Sequence, residues 1–214
     1  MTGCADALIK NILTLKNAGH EVFTYFHSGD CYIARARNFC ARIFLETKCT
    51  DMVFIDCDVA FEDDAILKLL KHDKEVVAGV YPYRTDDPQI LGDKIPFPVT
   101  FKFDEKTKNC LDNLTGLASA LRIPSGFLRI NRSVFEKMIA AEIVKIDNHD
   151  LYNFFDQGCV FTNENIWYGE DTAFCRRWTG IGGEIWVEPN LTFRHIGTKE
   201  YKNNLHEYLT RGIK

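Results

Sequence analysis

Two aspartates close together in the chain are the clearest candidates for chemistry. Asp56 and Asp58 directly follow Met52–Ile55, an apolar run that predicts a short buried strand. Residues two apart on a strand point to the same side, so both carboxylates would share one small volume. Two like charges held together are costly unless a cation bridges them or one carboxyl keeps its proton. Carboxylate oxygens suit Mg²⁺ or Mn²⁺, which also bind substrate phosphates, so the spacing predicts a divalent cation that joins the protein to a diphosphate.

Two other interpretations of this acidic pair stay open. Aspartates often cap the start of a helix, although Asp63 and Asp64, in the first turn of the next predicted helix, suit that role better. Phosphatases of the haloacid dehalogenase type also end a strand in Asp-x-Asp. They carry it on their first strand, with Thr or Val two places after the second Asp. Here two predicted helices precede the pair and Ala60 occupies that place, which argues against a phosphatase.

A second pair of acids, Glu170 and Asp171, opens a short predicted helix. The positive end of the helix dipole favours ionised carboxylates at that place. An ionised aspartate within reach of a hydroxyl group can take its proton as the oxygen attacks, which is general base catalysis. The competing interpretation is a simple cap of the helix Thr172–Trp178. A glycosidase is disfavoured, because its two carboxyl groups stand about 5–9 Å apart on either side of the sugar, and adjacent residues cannot supply that pair.

The elements that must position these acids alternate between helices and strands as far as residue 80. This order is typical of an α/β protein with a mostly parallel central sheet flanked by helices. Prolines then mark a long connection, and the second half is predicted to be mixed. The predicted helices are 5–17, 33–46, 62–72, 132–141, 171–178 and 201–209, and the predicted strands are 21–26, 52–55, 76–80, 99–103, 117–122, 127–130, 184–187 and 191–194. Asp147–Asn165 has no period and is expected to be a loop that closes on a ligand.

Composition excludes several classes of protein. The 214 residues are enough to bury a core, and 46% hydrophobic and 26% charged residues are globular values. The 26 Lys and Arg against 30 Asp and Glu give a net charge of −4, without the basic surplus of a dedicated nucleic-acid binder. The apolar runs are too short for a transmembrane segment, and the first residues resemble no secretory signal. We therefore expect a folded protein located in the cytoplasm.

The cysteines are expected to be free thiols. There are 8 of them, spread along the chain without a Cys-x-x-Cys pair. Zinc ribbons and thioredoxin-type sites need that close spacing. A disulfide framework is also disfavoured, because the cytosol keeps thiols reduced.

Four motifs in one order resemble the glycosyltransferases with the GT-A fold. They are Asp56-Cys57-Asp58 at a strand end, the small-residue loop, strand and helix of Ile123–Phe135, Glu170-Asp171 within Trp167–Arg176, and His195-Ile196-Gly197. The resemblance covers about residues 20–200 and implies a nucleotide-diphospho-sugar transferase fold of the inverting type. It implies one domain over 1–214, in which about 1–100 binds the nucleotide sugar and metal and about 101–214 binds the acceptor. Family members begin with a strand before the first helix, whereas here the helix comes almost at once. Either that strand is minimal or these residues are part of a longer polypeptide with further domains.

The resemblance also implies roles on the donor side. Asp58 and His195 would ligate Mn²⁺ or Mg²⁺, and Asp56 would bind the ribose, the metal or a metal-bound water. Arg37 and Asn38 would face the donor, a nucleotide sugar that we expect to be a UDP-hexose or UDP-deoxyhexose. By residue type alone, a structural role is the more common one for a histidine such as His195, and Arg37 is equally suited to the solvated face of a helix.

On the acceptor side, the resemblance implies that Asp171 is the base and that Glu170 holds the acceptor hydroxyl of a glycan. Trp167 and Tyr168 are expected to stack on a sugar ring, unless they are core aromatics. Two functions compete with glycosyl transfer. A sugar-phosphate nucleotidylyltransferase would show a Gly-rich basic loop near its start, which Met1–Asn11 lacks. A sugar-binding module without catalysis would have no reason to bind UDP.

Overall fold

The computed structural model describes residues 2–85, 95–106, 108–147, 149–160, 165–197 and 200–210. Its helices are α1 (Thr2–Asn17), α2 (Ile33–Glu46), α3 (Ala65–Leu70), α4 (Arg132–Ala140), α5 (Glu170–Gly180) and α6 (Leu205–Thr210). The helices predicted at 33–46 and 132–141 are confirmed almost residue for residue. The helix predicted at 62–72 is shorter. A strand occupies Val59–Phe61, and the acidic residues 62–64 form the connection between that strand and α3.

The strands form two sheets. They are β1 (Asp51–Ile55), β2 (Val59–Phe61), β3 (Val76–Ala78), β4 (Thr100–Phe101), β5 (Ala118–Arg122), β6 (Phe127–Asn131), β7 (Ile185–Val187), β8 (Thr192–Ile196) and β9 (Glu200–Asn204). The larger sheet has the order β1-β6-β3-β7-β5-β4, and the smaller one has the order β2-β8-β9. The prediction of a mostly parallel sheet is wrong. Among the strands just given, β3 and β7 form the only parallel pair, and the fold is mixed α/β.

Strand β6 accounts for most of this difference. It lies between β1 and β3 and runs antiparallel to both, although β1 and β3 themselves share one direction. Phe127, Leu128 and Ile130 of β6 are fully buried, as expected for a central strand. Apolar runs indicate that a strand is buried on both faces, but they do not specify which neighbours it pairs with.

The smaller sheet was largely outside the predictions. Strand β2 follows β1 after a turn, and its three residues are all buried. Strand β9 occupies the first part of the segment predicted as a helix over 201–209, so that the helix begins only at Leu205. Both strands pair with β8 in an antiparallel register.

The strand predicted at Glu21–Phe26 is wrong. The segment pairs with no strand in the described part of the chain, and Phe23 and Phe26 are exposed at 62% and 77%. A strand needs a neighbour for its backbone hydrogen bonds, and side-chain alternation cannot provide one. Within the described residues, β1 pairs with β6 on one side and has no partner strand on its outer edge.

Two groups of buried side chains hold the helices on the sheets. The larger group is rich in phenylalanine, including Phe44, Phe97, Phe135, Phe154, Phe155 and Phe174. The smaller group lies among α1, α3 and β2 and includes Leu15, Phe61, Leu69, Phe127 and Phe193.

The expectation of free cysteines is confirmed for all eight. Across the described residues, no helix is both long and apolar enough to cross a membrane.

Arg132, the first residue of α4, fastens the carboxyl end of α2. Its guanidinium donates to the carbonyl oxygens of Phe44 at 3.0 Å, Thr47 at 2.8 Å and Cys49 at 2.8 Å. It also lies 4.6 Å from the centre of the Phe44 ring. The last carbonyls of a helix lack partners within the helix, and a positive charge there is favourable. Arg132 therefore joins α2, which carries Arg37, to the strand β6 that precedes α4.

Replacing Arg132 by alanine should lower the free energy of unfolding by about 2–4 kcal/mol, because several charge-assisted hydrogen bonds and a ring contact are lost. The matched control is Arg42→Ala, on the same helix, whose exposed pair with Glu46 at 3.1 Å should matter by no more than ~0.5 kcal/mol. Urea denaturation measures both variants. Equal losses would contradict the role given to Arg132.

Candidate functional site

The predicted acidic residues lie where several chain segments meet at one end of the larger sheet. Because β1 and β3 share a direction, their carboxyl ends reach the same edge, and β6 begins there. The amide of Asp56 donates to the carbonyl of Gly126 at 2.8 Å, which ties the end of β1 to the residue before β6. We call this end of the sheet the acidic edge. It contains Asp56 and Asp58, which follow β1, Tyr81, which follows β3, and Gly126, which precedes β6.

Gly126 lets these segments approach closely. Any side chain at Gly126 would overlap both the carboxylate of Asp56 and the hydroxyl group of Tyr81, so those two groups converge on the space beside it. Burial, reinforced by the charge of Asp56, raises the pKa of Tyr81, which keeps the phenol protonated. The small-residue loop of the sequence analysis therefore has a steric role at this point.

Arg37 is the buried counter-ion of Asp56. Its Nη2 lies 3.2 Å from Oδ1 of Asp56, and its guanidinium covers the Phe54 ring at 5.2 Å. The side chain is only 6% exposed, so the structure rules out the solvated helix face that its residue type allowed. Its Nε is buried without a hydrogen-bond partner among the described residues. Arg37 lies on α2, where the sequence placed it, and points at the acidic edge.

The smaller sheet brings His195 to Asp58. The register of β2 and β8 sets His195 opposite Val59, and the amide of Ile196 donates to the carbonyl of Asp58 at 2.8 Å. As a result, Nε2 of His195 lies 3.5 Å from Oδ2 of Asp58. The two residues are 137 positions apart in sequence, and only this strand pairing unites them.

The tautomer of His195 is set by the backbone. Nδ1 lies 2.8 Å from the carbonyl oxygen of Pro82, which can only accept, so Nδ1 carries the hydrogen and donates. The ring also packs edge-on against Tyr81, with 4.8 Å between the ring centres. In the neutral ring, Nε2 therefore presents its lone pair to the space beside Asp58. A carbonyl behind the distal nitrogen is the usual support of a metal-ligating histidine.

A single divalent cation fits these donor atoms. Metal–ligand distances of about 2.1 Å allow two ligand atoms to stand roughly 3–3.5 Å apart. The described residues contain no group of three or more His, Cys, Asp or Glu side chains that could hold a metal alone. Mg²⁺-type ions are commonly held by one or two carboxylates with substrate phosphates completing the shell. Asp58 and His195 suit that arrangement, and Asp56 lies two residues before Asp58 in the chain.

Arg84 also contacts Asp58, a contact that the sequence analysis did not predict. Its Nη1 lies 2.9 Å from Oδ2 of Asp58, the same oxygen that faces His195. Arg84 follows β3 by six residues, in the proline-containing Tyr81–Arg84 stretch. A basic residue shortly after a strand that ends at the acidic edge is the sequence signal that could have indicated this contact.

Asp171 lies in the same region, at the start of α5. It accepts hydrogen bonds from the amide of Ser125, at 3.2 Å, and from the Ser125 hydroxyl. Burial raises the pKa of the Asp171 carboxyl to about 6, although Arg37 and Ser125 act in the opposite direction. The charge of Glu170 adds to the rise. The carboxyl is therefore mostly ionised at pH 7 and can still gain a proton in a mildly acidic solution.

Glu170 and Asn38 contact the aperiodic segment. Glu170 accepts from Gln157 at 3.2 Å. The amide of Asn38 donates to the carboxylate of Asp156 at 2.7 Å and accepts from the backbone of Phe155 at 2.9 Å, so its polar atoms hold that segment in place. Asn38 thus supports the wall of the site in this structure.

The described part of Asp147–Asn165 lies beside the acids and contains no helix. Its predicted closing motion stays a prediction. Gly158 exchanges backbone hydrogen bonds with Tyr168, which brings Trp167 next to Gly158. The Trp167 ring is 73% exposed, so the alternative of a core aromatic is wrong for this residue. Its open face is available for stacking.

No family model and no curated protein matches the chain. Among solved structures, the chain is similar to A197 from STIV, with a TM-score of 0.51 and 18% sequence identity. The similarity covers 89% of this chain and 78% of that chain. At this identity it concerns the fold alone and agrees with a mixed α/β architecture.

Gly126→Ala should lower the free energy of unfolding by about 1–3 kcal/mol, because its methyl group must displace the Asp56 carboxylate or Tyr81. Gly169→Ala is the control: Gly169 has a negative φ of −68° and open space around it, so its replacement should change stability by less than ~1 kcal/mol. Thermal and urea denaturation compare the two. A Gly126 variant as stable as the control would contradict the close approach.

Proposed function

We propose that the protein is a metal-dependent, inverting glycosyltransferase of the GT-A type, which moves a hexose or deoxyhexose from a UDP-sugar to a hydroxyl group on a glycan. One observation carries the proposal: Nε2 of His195 and Oδ2 of Asp58 stand 3.5 Å apart. The buried acid Asp171, with its raised pKa, lies in the same region. A cation site close to an aspartate that can accept a proton suits the transfer of a sugar from a diphosphate to a hydroxyl group.

The donor side would act through charge. Asp58 and His195 would hold Mn²⁺ or Mg²⁺, which when bound neutralises charge on the departing diphosphate. Asp56, kept in place by Arg37 and by the Gly126 carbonyl, would accept a hydrogen bond from the ribose or from a water of the cation. Arg37, whose Nε has no hydrogen-bond partner among the described residues, would add positive charge beside the phosphates.

The acceptor side would act through Asp171. As the acceptor oxygen forms a bond to the anomeric carbon, the bond from that carbon to the diphosphate oxygen breaks on the opposite face. Asp171 receives the proton of the hydroxyl group, and UDP leaves with the electron pair of the broken bond. The Ser125 hydrogen bonds hold one carboxylate oxygen, Oδ1, and the other oxygen would face the acceptor. Trp167 would stack on the acceptor sugar, since exposed aromatic faces bind sugar rings well.

Asp58→Ala should abolish the part of UDP binding that requires Mn²⁺, because it removes a ligand while leaving the core untouched. His195→Ala should weaken that binding less, since water can replace one ligand. Calorimetric titration of UDP with and without Mn²⁺ measures both variants, and Asp63→Ala, an exposed acid 3.6 Å from Lys10, is the control. Unchanged Mn²⁺-dependent affinity in the Asp58 variant would show that Asp58 is no ligand, and an unchanged affinity in the His195 variant would return that residue to a structural role.

Asp171→Asn should reduce transfer by ~10²–10⁴-fold, the usual contribution of general base catalysis, while UDP and Mn²⁺ still bind. In the wild type, transfer should decline as pH falls through about 6, because the raised pKa makes the carboxyl take up its proton there and lose its basicity. A pH–rate profile of UDP release in the presence of acceptor tests both points. Near-normal turnover of the Asn variant would leave Asp171 with a structural role, through its hydrogen bonds with Ser125, and would end the inverting-base proposal.

A further inference from the structure

The carboxylate of Asp58 is already paired with a positive charge. Nη1 of Arg84 lies 2.9 Å from Oδ2, and Nε2 of His195 lies 3.5 Å from the same oxygen. A cation held between Asp58 and His195 would need this oxygen as its ligand. Arg84 and the cation therefore compete for one atom, and two positive charges so close together repel each other.

Arg84 differs from Arg37 in its freedom to move. Arg37 is only 6% exposed and is fixed between Asp56 and the Phe54 ring. The Arg84 side chain is 49% exposed, and Asp58 is its charged partner here. A largely exposed ion pair of this kind contributes little to stability, so the contact can be given up at little cost.

We propose that Arg84 is an exchangeable latch on Asp58 that moves to the diphosphate of the donor when the cation binds. This inference rests on the proposed function. The planar guanidinium matches the oxygens of a phosphate group and binds them in a bidentate manner. In the absence of a diphosphate, Arg84 neutralises Asp58 and weakens the binding of a cation alone. Together, cation and diphosphate satisfy both Asp58 and Arg84, so that each promotes the binding of the other.

The test compares Arg84→Gln with the wild type, using Mn²⁺ alone and then inorganic pyrophosphate with Mn²⁺. Free Mn²⁺ is measured by electron paramagnetic resonance, and pyrophosphate binding by calorimetry, so neither readout depends on activity. Arg84→Gln should bind Mn²⁺ alone about tenfold more tightly than the wild type and Mn²⁺-pyrophosphate about tenfold more weakly. Arg35→Gln is the matched control, because Arg35 is 51% exposed and pairs with Asp30 at 2.9 Å. It should change neither affinity.

The other outcomes separate the latch from the metal site. Equal or weaker binding of Mn²⁺ alone by Arg84→Gln would overturn the latch, and the metal site would stand if Asp58→Ala still loses Mn²⁺-dependent UDP binding. Tighter Mn²⁺ binding with unchanged pyrophosphate affinity would overturn the transfer of Arg84 to the diphosphate. A lack of Mn²⁺ binding in both the wild type and Arg84→Gln would overturn the latch and the proposed metal site together. Far-UV circular dichroism of the variant checks that the fold is retained.

Discussion

The close approach of Gly126 to Asp56 is the constraint on which the acidic edge depends. The hydrogen bond from Asp56 to the Gly126 carbonyl joins β1 to the start of β6, and the missing side chain leaves room for the carboxylate and for Tyr81. Tyr81 then supports the ring of His195. A contact without any side chain of its own thus sets the positions of the residues that carry chemistry.

Charge around this contact is balanced by two arginines of different character. Asp56, Asp58 and Asp171 bring three carboxyl groups into one region, which would repel each other without compensation. Arg37 offsets part of that charge from a buried and fixed position, and Arg84 does so from an exposed one. The third acid, Asp171, is buried, and burial raises its pKa and so favours its protonated form. The negative charge in this small volume is therefore balanced by a fixed arginine, by an exposed arginine and by an acid that can take up a proton.

The local elements could be predicted from the sequence, but their neighbours could not. Helical spacing located α2 to the residue, and the apolar run before Asp56 located β1, because both signals lie within a few adjacent positions. Whether neighbouring strands run parallel or antiparallel depends on the insertion of β6, whose partners β1 and β3 are distant in sequence. The position of His195 opposite Val59 and the contact of Arg84 with Asp58 are likewise results of tertiary pairing. The motif order brought His195 into consideration, whereas its hydrogen bond to the Pro82 carbonyl has no sequence signal.

The outer edge of β1 matters for the colloidal behaviour of the protein. Within the described residues this edge has no partner strand, and elsewhere in the chain the Glu21–Phe26 segment exposes Phe23 and Phe26. A strand edge without a partner favours strand pairing between molecules at high concentration, and exposed aromatic rings add apolar surface to such association. The core plays no part in that process, so greater thermal stability would not prevent it. Solubility would instead respond to charged residues placed along β1 and the Glu21–Phe26 segment, as lysine does on the edge strands of natural sheets.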